Sequence, residues 1–342
     1  MPARPHRLAG ERILAGILLS CLVGHASGIL SGEKAKFLIA SSPVAAQVFY
    51  LRVRRGGGLE DMGVAASNSM QVLISKGLVK PQGVAVDQAR RRLFVADTGA
   101  RKIYSYPLSA HESDLHVGSQ TTVVSDVEAQ WVTVDASGDI YYSSPSRSEI
   151  VRVPVDSGLR GDALRQVVYG SNSTNQVSSP AGVAADAFAV YWANTQASGQ
   201  VGDVVRGLER STAAEKENVT VLPRVSTAAL GVCLAMDNVY FTQTDRRLYG
   251  VKKAGGSAVI VTDRFMKPRG CAWDGIGTVY VADQGLHAVF SFAGGMRDLS
   301  PAQITKTVEL EDAFDVAIYS QAFRLRSGIA VVLLAALVRL IG

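Results

Sequence analysis

The chain has 342 residues, of which 47% are hydrophobic and 19% charged, with a formal net charge of +5 and a pI near 9.1. This balance excludes a disordered chain and provides enough apolar material for one large β-rich domain or two ordinary ones. Three cysteines are too few for a disulfide scaffold.

The N-terminal segment has the pattern of a targeting sequence. Three arginines precede an apolar run at 13–24, and small residues follow at 26–28. Basic, apolar and small segments in this order are typical of a secretory signal peptide, and about 12 apolar residues are short for a membrane span. We predict a signal peptide over 1–28, with an uncleaved anchor as the alternative left open.

The middle of the chain repeats one unit. Its first run recurs at intervals of 39 to 51 residues as PQGVAVD (81–87), AQWVTVD (129–135), PAGVAAD (180–186), ALGVCLA (229–235), PRGCAWD (268–274) and AFDVAIY (313–319). Three more β-rich runs follow each of the first five copies, and the runs are almost continuously apolar, as expected of sheets covered on both faces. Four strands in a period of about 40 to 50 residues predict a β-propeller blade.

The two ends of the repeated region complement each other. The last copy, 313–319, has no second strand after it, whereas β-rich runs at 37–41, from Gln47 and at 71–75 precede the first copy. These runs supply the three missing strands of a sixth blade. We therefore predict an all-β, six-bladed propeller of four-stranded antiparallel blades over 36–319, closed by a C-terminal first strand joined to three N-terminal strands.

The repeats resemble a known family. PQGVAVD with RLFVADTGARKIYSY, and PRGCAWD with TVYVADQGLHAVFSF, resemble the NHL repeat, and VYWAN is similar to the YWTD repeat with Asn194 in the place of its Asp. The resemblance implies the propeller fold. It does not select a function, because this fold carries adhesion modules, receptors, lactonases and lyases.

Enzymes of this architecture place their chemistry where the central channel opens. The residues just inside each first strand are Gln82, Gln130, Ala181, Leu230, Arg269 and Phe314. Gluconolactonase-like and paraoxonase-like propellers hold a divalent cation here with converging oxygen ligands, and this ring does not offer such a set. We expect no cofactor; a bound divalent cation is the less favoured alternative.

A second ring of polar residues follows the second strands. It comprises Ser41, Asp97, Ser144, Asn194, Gln243 and Asp283. A polar collar for a ligand is one interpretation. Hydrogen bonds to the backbone of the neighbouring turns are the favoured one, because short polar residues are normal turn chemistry.

The candidate ligand-binding residues at the channel mouth are Asp97, Arg101, Gln130, Trp131, Asn194, Gln243, Arg269, Asp283 and His287. Trp131 is either a recognition aromatic or a residue packed between blades, and the second interpretation is favoured. His111 and His116 are expected in a solvated loop on the face opposite His287, so the three form no zinc site. We assign no catalytic residue, since the sequence contains neither a GxSxG elbow nor a phosphate loop. We assign no metal ligand, because neither ring residues nor histidines converge as a ligand set.

Two cysteines fall on successive first strands. Cys233 and Cys271 are one step out of phase in the repeat, so their side chains should leave opposite sheet faces. Buried free thiols are therefore the favoured expectation, with a disulfide left open because of the predicted secretory route.

Further features concern processing. Asn172 and Asn218 lie in sequons and are predicted glycosylation sites. An apolar tail occupies 320–342; a membrane anchor, the signal for a lipid anchor and a packed terminal helix are the three interpretations that remain open.

The charge lies at the two ends of the chain. Residues 29–322 contain equal numbers of basic and acidic side chains, so the basic pI belongs to the apolar ends and a nucleic-acid partner is not expected. We predict a secreted or membrane-tethered, monomeric, NHL-like propeller of the secretory pathway that binds a protein or small molecule at its channel mouth without catalysis. The alternative is a divergent hydrolase or lyase, similar to gluconolactonase or strictosidine synthase, with its site at the same mouth.

Overall fold

The computed structural model describes residues 35–53, 69–111, 114–154, 164–171, 174–195, 202–209, 219–225, 227–295 and 297–321. Within them, Ala35–Ser320 forms one compact unit. The predicted signal peptide, the predicted glycosylation residues Asn172 and Asn218, and nearly all of the C-terminal tail lie outside the described residues. No described helix is long and apolar enough to cross a bilayer.

The described chain forms a ring of six blades, which confirms the predicted fold. Blade 1 contains β1 (Lys36–Ser42), β2 (Gln47–Val53), β3 (Gln71–Ile74) and β25 (Val316–Ser320); blade 2 contains β4 (Pro81–Asp87), β5 (Arg92–Asp97), β6 (Lys102–His111), β7 (Asp114–Val117) and β8 (Thr121–Ser125). Blade 3 contains β9 (Val132–Val134), β10 (Ile140–Ser144), β11 (Glu149–Val153) and β12 (Gln166–Gly170); blade 4 contains β13 (Pro180–Ala185), β14 (Ala189–Asn194), β15 (Asp203–Leu208) and β16 (Thr220–Arg224). Blade 5 contains β17 (Ala229–Ala235), β18 (Asn238–Gln243), β19 (Leu248–Lys252) and β20 (Val259–Thr262); blade 6 contains β21 (Pro268–Trp273), β22 (Thr278–Asp283), β23 (Ala288–Ala293) and β24 (Thr305–Glu309).

The ring closes where the sequence predicts. Strand β25 pairs antiparallel with β1, with Leu38 opposite Ile318 and Ile39 opposite Ala317. The two ends of the propeller therefore share one sheet, in which β1 and β25 pair with each other. Closure of this kind removes the exposed edges that a linear array of blades would have at its ends.

The hydrophobic core is divided among the interfaces between blades. Each of the six clusters of buried apolar side chains lies mainly between two neighbouring blades; for example, Phe37 and Ile39 of blade 1 pack with Leu93 and Val95 of blade 2. The cluster between blades 3 and 4 also includes Phe314, which precedes β25. Both faces of each sheet are therefore buried. This explains why the strands lack the alternation of apolar and polar residues typical of a half-exposed sheet.

Blade 2 departs from the predicted pattern. Strand β6 continues past the blade to His111 and forms an extra hairpin with β7, in which Ser109 lies opposite His116. The expectation that His111 and His116 lie in a loop is wrong, although both are exposed. Leu115, in the same hairpin, is buried with residues of blade 1, and this packing stabilises the extension.

Cys233 and Cys271 form a disulfide between β17 and β21, with their Cα atoms 5.6 Å apart. The expectation of free thiols is wrong, and the reason lies in the geometry of the ring. Neighbouring blades meet face to face, so side chains that leave opposite sheet faces of two successive blades point towards each other. The phase difference that appeared to separate the cysteines is what brings them together.

Candidate ligand-binding site at the channel mouth

A pocket of about 590 Å³ lies where the first strands begin. We call it the mouth pocket and define it by the polar residues Lys80, Gln82, Gln130, Lys267, Arg269, Gln284 and Asp312 and the aromatic residue Phe314. Four of them belong to the ring just inside the first strands, namely Gln82, Gln130, Arg269 and Phe314. The pocket therefore occupies the side of the mouth formed by blades 6, 1, 2 and 3.

Two aromatic rings lie between the mouth pocket and a second cavity further along the channel. Trp131 is 4% exposed, and its ring centroid is 4.9 Å from that of Phe314. Phe314 lines the mouth pocket, whereas Trp131 lines the second cavity, of about 250 Å³. Trp131 thus packs inside the ring of blades rather than facing a ligand at the mouth, and its Nε1 has no hydrogen-bond partner among the described residues.

Arg269 carries a partly buried charge at this pocket. Its guanidinium carbon lies 5.7 Å from the centroid of the Phe314 ring, and its Nε donates to Gln284 Oε1 at 2.9 Å. The Nε2 of Gln284 donates to Asp312 Oδ1, so an amide separates the guanidinium from the nearest pocket carboxylate. Burial lowers the pKa of Arg269, and the charges of Asp312 and Asp283 partly offset that effect. The guanidinium stays charged at neutral pH, since arginine titrates far above it.

Two lysines occupy equivalent positions beside the pocket. Lys80 precedes Pro81 in blade 2, and Lys267 precedes Pro268 in blade 6. Both side chains are exposed, and neither has a carboxylate partner among the described residues. The pocket lining therefore contains three basic side chains and one carboxylate.

Asp97 and Asp283 position the loops that carry these lysines. Asp97 accepts hydrogen bonds from the backbone N–H groups of Val79, Lys80 and Ala100 at 2.7–2.9 Å. Asp283 accepts from Met266, Lys267, Gly285 and Leu286 at 2.7–3.0 Å. Both carboxylates are fully buried. Their oxygens are thus engaged by the backbone, and the side chains fix the loops before β4 and β21.

Two further members of the polar ring, Asn194 and Gln243, also bond to nearby backbone groups. Asn194 accepts from the backbone N–H of Ser178 and donates through Nδ2 to the carbonyl of Gln176 and to Asp203 Oδ1. Gln243 donates to the carbonyl of Thr227 at 3.3 Å, and its Oε1 has no partner among the described residues. Neither residue lines the mouth pocket.

Arg101 and His287 lie on the same face but outside the pocket lining. Arg101 forms a 3.4 Å ion pair with Glu128. Both side chains are exposed to solvent, so this pair contributes little to stability. The Nδ1 of His287 accepts a hydrogen bond from the backbone N–H of Asp312 at 3.2 Å. Of the nine sequence-predicted candidates, the pocket therefore brings together Gln130 and Arg269.

Asp315 is a buried carboxyl group in the channel that sequence reasoning did not single out. Its oxygens accept from the backbone N–H groups of Val84 and Val316, and no cation of the described chain pairs with it. Burial raises its pKa to about 8. The repeat could have revealed Asp315, because four of the six copies have glycine at its position. One of these glycines, Gly270, is so close that a Cβ there would overlap the Asp315 side chain.

Other pocket residues were also missed as candidates. Gln284 follows β22 as Thr98 follows β5, and Asp312 precedes the last copy of the first run. The repeat gives these positions, but it does not show that the two side chains meet in one pocket. Lys80 and Lys267 had a usable signal, since both precede Pro at the start of a first strand. Among the described residues, no group of three or more His, Cys, Asp or Glu side chains is arranged to hold a metal ion.

Comparisons with known proteins identify the fold. No family model and no curated protein matches the chain. A chain in the crystal structure of a nidogen/laminin complex is similar, with a TM-score of 0.62 and 13% identity over 83% of this chain and 98% of that one. A gluconolactonase from Xanthomonas campestris gives a TM-score of 0.53 and 12% identity over 83% of this chain and 88% of its own. At such identities the likeness shows a shared propeller fold and leaves function to the site.

Proposed function

We propose that this propeller is a non-catalytic binding module that takes a small molecule, or a side chain of a partner protein, into the mouth pocket. The single observation that supports this most is the pocket itself. Its volume of about 590 Å³ lies in the range of small-molecule sites. It combines an aromatic floor, Phe314, with amide and basic side chains that can orient a ligand.

The chemistry of the lining supports binding over catalysis. A hydrolase or lyase needs an activated nucleophile, an acid–base pair or a metal held by several ligands. The mouth pocket offers amides, lysines, an arginine and one carboxylate, Asp312, whose two oxygens accept from Gln284 and from the backbone of Val44. Asp97 and Asp283, the best carboxylate candidates from the sequence, accept hydrogen bonds from the backbone of the loops before β4 and β21.

The location of binding can be tested by filling the pocket. Ligand-observed NMR with neutral, cationic and anionic fragments should detect binders of the full chain, and Gln130→Trp should weaken them about tenfold or more by occupying the cavity. Ile276→Trp is the matched control, because Ile276 is exposed in the turn between β21 and β22, at the other end of the strands. Binders that Gln130→Trp leaves untouched, or an absence of binders, would contradict the proposal.

The catalytic alternative has its own test. Metal analysis of the purified protein, with lactone and ester substrates assayed in parallel, should give neither stoichiometric Ca²⁺ or Zn²⁺ nor turnover. A stoichiometric cation that Asp97→Ala or Asp283→Ala removes, together with turnover lost in the same variants, would favour the enzyme and overturn the binding module.

We also propose the secretory pathway as the location, with the protein either extracellular or attached to a membrane through residues 320–342, monomeric and glycosylated at Asn172 and Asn218. The disulfide between Cys233 and Cys271 supports an oxidising compartment. Expression in secreting cells, followed by intact mass with and without glycosidase, tests it. An intracellular, unglycosylated product that retains residues 1–28 would contradict it.

A further inference from the structure

The charge of the mouth pocket is unbalanced. Its lining includes three basic residues, Lys80, Lys267 and Arg269, and one carboxylate, Asp312. Since residues 29–322 are neutral as a whole, this excess is a local feature of the pocket. A concave site lined mainly by one sign of charge attracts ligands of the opposite sign.

Arg269 has the unused hydrogen-bonding capacity that an anion requires. Its Nε is the only side-chain nitrogen with an acceptor among the described residues, so both Nη groups lack a protein partner there. Gln284 takes the position between Arg269 and Asp312 and satisfies that carboxylate. The guanidinium is therefore held in place without being neutralised by a contact.

The surroundings of Arg269 strengthen any charge-assisted bond it forms. The side chain is partly buried, and its guanidinium lies over the ring of Phe314. Lower local solvation makes an ionic hydrogen bond stronger than the same bond at the open surface. The amide groups of Gln82 and Gln130 provide neutral donors on the side of the pocket formed by blades 2 and 3.

We infer that the mouth pocket binds an oxyanion, the carboxylate or phosphate group of a small ligand or acidic side chain, with Arg269 as its principal contact. Lys80 and Lys267, from equivalent positions in blades 2 and 6, supply long-range attraction from the two sides of Phe314. The inference rests on the proposed function and adds the chemical class of the ligand.

The test compares probes that differ in charge and share a ring. Benzoate and phenyl phosphate supply the two anion chemistries, and benzamide supplies the neutral form of the same shape. With the full chain, we expect one or both anions to bind about tenfold or more tightly than benzamide, in line with the extra strength of charge-assisted hydrogen bonds. Whichever anion binds more tightly identifies the headgroup.

Variants locate the charge that is responsible. Arg269→Gln should abolish the preference for the anion. Arg147→Gln, at an exposed arginine in the turn between β10 and β11 on the same face, should leave it within about twofold, since exposed charges are screened. Asp312→Asn should raise anion affinity about two- to fivefold by removing the opposing charge. Arg269→Lys retains the positive charge but not the paired N–H donors of the guanidinium, and it should cause an intermediate loss of anion affinity.

The other possible results distinguish a failure of the anion inference from a failure of the proposed binding module. If benzamide binds as tightly as benzoate at the mouth pocket, the binding module stands and the anion inference fails. If the anions bind equally well to Arg269→Gln, or bind but are insensitive to Gln130→Trp, the assigned site is wrong. If Arg269→Gln is unfolded by circular dichroism, Asp312→Asn and Arg269→Lys decide, because unchanged anion affinity in both would overturn the inference.

Discussion

The rings of Trp131 and Phe314 lie 4.9 Å apart, although they belong to blades 3 and 1, which are not neighbours in the ring. Blade 2 lies between them in the ring, and its first strand has Gly83 at the position equivalent to Trp131. A Cβ at Gly83 would come within 2.9 Å of the backbone of Gln130 and Trp131. This pair therefore separates the mouth pocket, which Phe314 lines, from the second cavity, which Trp131 lines, and it joins blades that the strand pairing does not connect.

Removing the indole should destabilise the whole ring. We expect Trp131→Ala to lower the free energy of unfolding by about 3–5 kcal/mol, the usual cost of deleting a buried large aromatic side chain. Trp131→Phe retains most of the contact and should cost clearly less. Urea unfolding followed by circular dichroism measures both, and a loss below about 1 kcal/mol for the alanine variant would show that the packing of Trp131 is not important.

The disulfide between Cys233 and Cys271 should stabilise the fold by limiting the unfolded chain. It closes a segment with a sequence separation of 38, for which the chain-entropy estimate is about 4 kcal/mol. Replacing both cysteines by serine, or adding reductant, should lower the unfolding free energy by a comparable amount. If both thiols of the unreduced, unfolded protein react with a thiol reagent, the disulfide does not form.

Asp315 should make stability depend on pH. Burial raises its pKa to about 8 in the folded protein, whereas an aspartate in the unfolded chain titrates near about 4. The protonated form fits the fold, so the stability it contributes is complete below about pH 4 and falls as the pH rises towards about 8. The slope from this group is at most about 1.4 kcal/mol per pH unit.

The comparison that isolates this effect is Asp315→Asn. The variant removes the charge while keeping the shape, so the difference in unfolding free energy between about pH 5 and about pH 8.5 should be smaller than in the parent protein. Denaturant titrations at the two pH values give this difference directly. Identical pH dependence in the two proteins would mean that Asp315 ionises without cost in the channel.

Asp283 should be important for stability. Asp283→Ala leaves four partly buried backbone N–H groups without their acceptor, and we expect a loss of about 2–4 kcal/mol, because each unsatisfied donor that is shielded from water is costly. Asp283→Asn keeps one acceptor oxygen and should lose less. Asp298→Ala, at an exposed aspartate, is the control and should be within about 0.5 kcal/mol of the parent.

The repeat predicts the fold well because its signal is redundant. Six copies of the first strand, with continuous apolar runs after them, specify four-stranded blades, and the offset of the two ends specifies closure through β1 and β25. The error on Cys233 and Cys271 came from treating each blade separately. Which sheet faces meet is a property of the ring, and the repeat alone does not state it.

The site is less predictable for a related reason. Arg269 and Gln130 belong to the repeated runs and were found, whereas Gln284 and Asp312 lie in turns that only the closed ring brings together. The lengthening of β6 to His111 depends on packing of the hairpin against blade 1, which no local pattern indicates. Contacts between distant turns thus define the chemistry of the pocket.

A crystal structure of the protein with 4-bromobenzoate would show whether Arg269 binds an oxyanion in the mouth pocket. We expect an anomalous bromine peak in the mouth pocket and a carboxylate oxygen within about 2.7–3.2 Å of an Arg269 Nη atom, the range of ionic hydrogen bonds. A bromine peak at another surface, with the mouth pocket containing only solvent, would contradict this assignment.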